Sequence, residues 1–413
     1  MATSTDTRRR ALRERVYDVY ASPRLLHPAD RVVLAAARGD GGAGAHVLLC
    51  PPGAGNTGDQ AMVDAFVHAT SGPVALVVHD VRDVEVPAGA ADRVRVVPLP
   101  GLVYGGGARH LRAVARAGRL VAGARSVSVV GADLMDGGSG HRPALHLALL
   151  ATAAARRGVP TRVLGFSWSA DPHPACRRAL VRTGRRGVRL MARDPRSAAR
   201  LREAGVPGVE EVADTVFSTA DDLDPSLADE LLGPRGDRPL VVVNASGLVG
   251  TRVPQLPDLR AVVEHLRRRG ALVVLLPHVQ RPGGDDVVEV RRLAAALAGD
   301  DGVLHVDRLV RPAQVRGLVD RADAVLTGRM HLAVMALSRG VPALCLATQG
   351  KVEGLMDLVG TPELSVRPRP GIAAELVPLL DDVLDGRLAD RAALRDAADR
   401  AREASLRGLE GLG

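Results

Sequence analysis

The chain has 413 residues, 46% hydrophobic and only 2% aromatic, with a formal net charge of +8; this exceeds one ordinary core and predicts two domains of roughly 180 residues each. The arginines are interspersed with acids and almost no aromatic rings are present to stack on bases, which argues against nucleic acid as a partner. A positive field suits small anionic substrates, or peripheral contact with the anionic surface of an inner membrane.

Residues 1–45 form an extension, with a helix expected over TRRRALRERVYDVYA and a glycine-rich loop after it. The arginine-rich start lacks the apolar stretch of a signal peptide, and no later run has the length of a membrane span, so a cytoplasmic protein is expected. Cys50, Cys176 and Cys345 are widely spaced without a metal-ligand pattern and read as buried thiols. From residue 46 short Val/Leu runs (46–50, 74–79, 126–130, 162–167) alternate with segments of helical spacing. Continuous apolar runs between helices indicate buried parallel strands in βα units. An acidic, proline-containing stretch at 221–239 reads as a linker, after which strands are expected at 240–244, 271–277, 303–306, 324–327 and 342–347. The expected division is an N-terminal Rossmann-like domain over 46–225, a C-terminal one over 226–375, and a C-terminal helical segment over 376–413.

Four constellations sit where such strands end. In PPGAGNTGDQAMVDAF, Gly53, Gly55 and Gly58 have the spacing of a dinucleotide fingerprint and Asp80 ends the next strand. Asp59, however, occupies the helix start, where a pyrophosphate needs free N–H groups. Asn56 and Asp59 either cap the helix or face a ligand, Asp59 then orienting or deprotonating a hydroxyl. In VVGADLMDGGSGHRPALHLAL, Asp133 and Asp136 either bind sugar hydroxyls or form Asx turns, and His141 and His146 make no metal signature with a nearby acid pair. Trp168, the one tryptophan, is a stacking surface for a sugar or a core residue, and Arg193 in MARDPRSAAR ends a strand at the same edge.

The fourth constellation is LTGRMHLAVMALSRGVPALCLATQGKVEG, where Arg329 and His331 open one helix and Lys351 opens another. Of 55 basic residues 54 are arginine, and Lys351 is the exception. Lysine supplies a compact point charge where arginine supplies a planar fork, so its retention points to a specific contact. Two helix starts carrying a guanidinium, an imidazole and an ammonium form an anion site with a titratable group.

In GNTGDQAM, GADLMDGG, ARDPRSAARLREAG with VADTVFS, and TGRMHLAVMALSRGVPALCLATQGKVEGLMDLVG, taken in that order over residues 46–360, the chain resembles the polysaccharide pyruvyl transferase family. The resemblance implies an α/β, GT-B-like fold of two Rossmann-type domains whose parallel sheets face a central cleft. It also implies transfer of pyruvate from phosphoenolpyruvate to two sugar hydroxyls as a cyclic ketal, on a cell-surface polysaccharide or its lipid-linked precursor. The family's Arg-x-His falls on Arg329 and His331 and its lysine on Lys351, while the aromatic residue often found before that lysine is absent from CLATQGK. On this reading Arg193, Arg329 and Lys351 bind the donor's two anions and His331 protonates its methylene carbon. Asp59 and Asp133 serve as base, and Asn56, Asp136 and Trp168 face the acceptor. Phosphoenolpyruvate is a co-substrate, and neither cofactor nor metal is demanded. Three alternatives use the same scaffold: a nucleotide-sugar glycosyltransferase, a non-catalytic anion- or glycan-binding protein, and an NAD-dependent oxidoreductase.

Overall fold

The computed structural model describes residues 26–39, 44–51, 53–138, 140–234, 236–348 and 350–413; the helix expected over 7–21 lies outside them. Two parallel sheets organise the chain. The first holds β1 (His46–Leu49), β2 (Val74–Val78), β3 (Val94–Pro98), β4 (Ser126–Ala132), β5 (Thr161–Phe166), β6 (Arg189–Ala192) and β7 (Val209–Glu211) in the order β3-β2-β1-β4-β5-β6-β7. The second holds β8 (Leu240–Val243), β9 (Leu272–Leu275), β10 (Val303–His305), β11 (Ala324–Thr327), β12 (Ala343–Leu346) and β13 (Ser365–Val366) in the order β10-β9-β8-β11-β12-β13. Strands β1, β2, β8, β9, β11 and β12 are buried along their whole length, because helices cover both faces of each sheet.

Three strands depart from the expected set, and all lie towards sheet edges. In β3 Arg95 interrupts the valines and the strand is only partly buried. β7 reads Val-Glu-Glu and β13 has two residues, so neither carries an apolar run. The stretch at 221–239 is also more ordered than a linker. It contains the helix Ser226–Leu231, whose Leu227 and Ala228 are fully buried, and Asp224 N bonds Ala313 O at 3.0 Å.

The last helix of the expected C-terminal helical segment is amphipathic. Helix Arg391–Leu409 buries Leu394, Ala397, Ala398, Ala401, Ser405, Gly408 and Leu409 along one side. Arg391 near its start bonds Ala322 O of the second domain at 3.2 Å. At its end the buried Arg162 guanidinium of β5 donates to Gly408 O at 3.2 Å and Glu410 O at 2.7 Å. The three cysteines are buried and free, and among the described residues no helix is long and apolar enough to cross a membrane.

Helix Thr57–His68 carries an electrostatic cost. Asp64 is 8% exposed and accepts from Gln60 Nε2 at 2.7 Å, yet burial raises its carboxyl to about 6. A raised folded pKa means that the folded chain binds the proton more tightly than the unfolded one. The cost of the buried charge is therefore absent below pH 3.8 and complete above about 6. Asp64→Asn, which still accepts from Gln60, should raise unfolding free energy by about 1–3 kcal/mol at pH 8 and leave it unchanged at pH 3.5. Denaturant titrations at the two pH values check this; equal effects at both would contradict it.

Candidate active site

In each sheet the strand order reverses between two central strands, β1/β4 in the first and β8/β11 in the second. Open α/β sheets bind ligands outside the carboxyl ends of strands at such reversals. The candidate residues leave these ends. Asp59 follows β1, Asp133 follows β4, Arg329 and His331 follow β11, and Arg193 follows β6.

The two strand-end loops meet directly. Gly55 and Gly53 have φ of +80° and +89°, a region open to glycine at little cost. Gly55 O accepts from Gln280 N at 2.7 Å, Thr57 N donates to His278 O at 3.1 Å, and Asn56 forms an antiparallel bridge with Val279. A Cβ on Gly55 would lie 2.2 Å from Gln280 O, and one on Gly58 would lie 2.2 Å from His331 Nδ1. These glycines thus serve close approach of the two domains. The dinucleotide reading does not survive: Asn56 Oδ1 accepts from Gly58 N at 3.0 Å and Asp59 N at 3.4 Å, and His331 covers Gly58. Asn56 is the helix cap, so its expected acceptor contact is corrected.

Charged groups from both domains converge beside this seam. Arg193, 3% exposed, donates to Ser167 Oγ at 2.9 Å, to Asp214 Oδ2 at 2.8 Å and to Asp133 Oδ1. His331 Nε2 lies 3.4 Å from both Asp214 Oδ2 and Arg193 Nη1. The Lys351 ammonium donates to the other oxygen of Asp133. Its helix, Gly350–Val359, docks on the first domain through Glu353 and Asp357, one turn apart, which both hold Arg196. Gly354 permits that approach, since a Cβ there would lie 2.3 Å from Asp194 Oδ1.

Arg329 is anchored separately. Its guanidinium donates to the fully buried Asp286 at 2.6 Å and to Gly284 O at 2.7 Å. Asp286 also accepts from Gly247 N, His278 N, Val279 N and Asn244 Nδ2 at 2.8–3.1 Å, so it fixes Arg329 and the loops after β8 and β9 together. On the facing side Asp59 Oδ2 accepts from Arg281 Nη2 at 2.8 Å.

The acids differ in basicity. Burial pushes Asp133 up, but Lys351 and Arg193 outweigh it and hold the carboxyl at about 2. Asp214 is buried too, and His331 and Arg193 keep it far below the usual range. For Asp59 burial prevails over Arg281 and His331, and the carboxyl is raised. Against the expected role as a base, Asp133 is the counter-ion that holds Lys351 and Arg193, and the raised Asp59 carboxyl is the more basic of the two.

Two acceptor-side expectations change as well. Trp168 is 1% exposed, so neither ring face is open to a sugar. Asp136 accepts from Gly138 N at 2.9 Å in an Asx turn and makes no contact with the charged cluster. The aromatic side chain at the rim is Tyr104, 50% exposed and near enough to Asp59 and Arg281 for both charges to act on its hydroxyl. Sequence reading also passed over Asp214, Asp286 and Arg281, and over His278 just beyond β9. His278 is buried, neither ring nitrogen has a partner among the described residues, and burial with the charges of His331 and Arg329 holds its pKa well below the ordinary value. Its one sequence signal is the position after a strand.

A family model described as polysaccharide pyruvyl transferase matches residues 56–350, from the capping Asn56 to the residue before Lys351. No curated protein matches the chain. Among solved structures, it is similar to a UDP-GlcNAc 2-epimerase from Neisseria meningitidis bound to UDP-GlcNAc, at 12% identity over 87% of this chain and 97% of that one, with a TM-score of 0.58. A UDP-GlcNAc 2-epimerase from Methanocaldococcus jannaschii gives 11% identity over 86% and 98%, TM-score 0.56. A glycosyltransferase from Rickettsia africae gives 10% over 88% and 96%, TM-score 0.56. Such distant likenesses establish the GT-B arrangement of two α/β domains and nothing finer.

Proposed function

Because the chain belongs to the polysaccharide pyruvyl transferase family, we propose that it transfers the enolpyruvyl carbons of phosphoenolpyruvate to two hydroxyls of a sugar, in a glycan or its lipid-linked precursor, as a cyclic ketal. The observation that carries this reading is the meeting of Arg193 from one domain with His331 and Lys351 from the other on Asp133 and Asp214. The donor brings a phosphate and a carboxylate on one carbon. Arg193, Lys351 and Arg329 offer the guanidinium and ammonium contacts that two such anions need.

In this scheme His331, steadied by Asp214, gives a proton to the methylene carbon, and the neighbouring carbon becomes electrophilic. A sugar hydroxyl adds there while Asp59 accepts its proton. The carbon–oxygen bond to phosphate breaks and a second hydroxyl closes the ring. One hydroxyl proton thus replaces the proton that His331 gave to the new methyl group, and the other leaves with phosphate. Cationic side chains meet the departing phosphate, so the scheme is complete with this chain's own groups. Tyr104 and Asp59 form the acceptor side of the cleft.

The test is phosphate release from phosphoenolpyruvate in the presence of candidate glycan acceptors, followed by mass analysis of the acceptor. Acceptor-dependent release with one pyruvyl ketal added per phosphate is expected. Thermal stabilisation by nucleotide sugars, with none by phosphoenolpyruvate and no release, would overturn the proposal in favour of a glycosyltransferase.

A further inference from the structure

Away from the cleft, Asp30, His110 and His146 meet in the first domain, all three buried. They come from three helices, Leu26–Ala36, Gly107–Ala122 and His141–Ala155. Among the described residues this is the one group of three such side chains whose donor atoms all lie within 4.8 Å of one another. His110 Nδ1 lies 2.9 Å from Gly101 O and His146 Nδ1 lies 2.7 Å from Val103 O. A carbonyl oxygen only accepts, so both Nδ1 atoms carry the hydrogen and both neutral rings turn an Nε2 lone pair inward.

His110 Nε2 then faces Asp30 Oδ2 at 3.2 Å. A lone pair against a carboxylate is stable only with a cation between them, either a proton on Nε2 or a metal ion. A proton satisfies that one pair. It leaves the buried Asp30 Oδ1 without a partner and does not draw in His146, whose Nδ1 bonds Val103 O. A metal ion engages all three side chains. We propose that Asp30, His110 and His146 bind a divalent transition-metal ion, zinc being the best match to two imidazoles and a carboxylate.

The carbonyl bonds on both Nδ1 atoms are the outer contacts that orient histidine ligands on zinc. The 3.2 Å spacing of His110 and Asp30 already matches two ligands about 2.1 Å from one ion. The rings stack with centroids 4.5 Å apart and planes 25° from parallel, so the His146 ring turns out of that stack to bring its in-plane Nε2 lone pair onto the ion. Such an ion fastens the helix Leu26–Ala36 to the first sheet. It also steadies the loop whose Gly101 and Val103 carbonyls orient the rings, and which carries Tyr104 to the cleft.

The test uses the full chain, stripped with chelator and dialysed against zinc. Element analysis should find one tightly held zinc per chain, and the melting temperature should rise by about 3–6 °C at a hundredfold excess over Kd. His110→Gln with His146→Gln should abolish both. Should that variant not fold, cobalt(II) titration of the unaltered chain should give visible absorption saturating at one equivalent and displaced by zinc. Uptake unchanged in the variant, or neither zinc uptake nor cobalt absorption in the unaltered chain, would overturn the proposal and leave a protonated His110 paired with Asp30.

Discussion

Replacing His331 with glutamine should lower phosphoenolpyruvate-dependent transfer by about a hundredfold to ten-thousandfold, the range that a positioned general acid contributes. The loss should fall on kcat, because Arg193, Arg329 and Lys351 remain to hold the donor. Glutamine keeps most of the bulk that fills the space against Gly58, so melting temperature should change little. The imidazole stands 3.4 Å from Asp214 Oδ2, and Asp214 is itself anchored by Arg193 at 2.8 Å. Asp214→Asn should therefore give a smaller loss of kcat with the imidazole still present. Steady-state kinetics on the two variants separates the roles, and near-normal turnover in His331→Gln would remove the histidine from the proton-transfer step.

Gly58→Ala should be nearly as damaging, against the usual expectation for a helix. Gly58 lies in the first turn of Thr57–His68, where alanine is favoured over glycine by up to about 1 kcal/mol on propensity alone. Geometry opposes this. The added carbon would sit 2.2 Å from His331 Nδ1 and 2.6 Å from its Cβ and Cγ. The histidine cannot yield cheaply, because its helix Met330–Leu337 is buried on every side that the structure describes except at His331 itself. Either the imidazole turns away or the domains separate, and a displacement of about 1 Å at a reacting group is enough for a hundredfold loss. Turnover and melting temperature measured together decide the point: a variant with normal kcat and a higher melting temperature would show that the seam is looser than described.

The sequence carried those parts of this arrangement that depend on local pattern. Apolar runs marked the central strands, because burial on both faces demands continuous Val and Leu. Arg193, Arg329, His331 and Lys351 could be placed at strand ends and helix starts from the same runs. What was not legible depends on partners far along the chain. Asp133 looks like any acid in a turn until Lys351, 218 residues later, arrives to hold its proton affinity down. Asp286 reads as a surface acid after a double glycine, yet it is fully buried and ties Arg329 to the loops after β8 and β9. Trp168 misled because rarity in the chain says nothing of depth in the fold. The edge strands β3, β7 and β13 escaped because a strand with one neighbour needs no apolar run.

The helix Arg391–Leu409 has a mechanical consequence. At about 28 Å for its 19 residues, it runs from Ala322 O on one domain to Arg162 on the other. The polypeptide therefore passes between the domains twice, once at 212–239 and once along this rod. A single tether would let the halves swivel about any axis. Two tethers make twisting stiff, which holds His331 facing Arg193 across the seam.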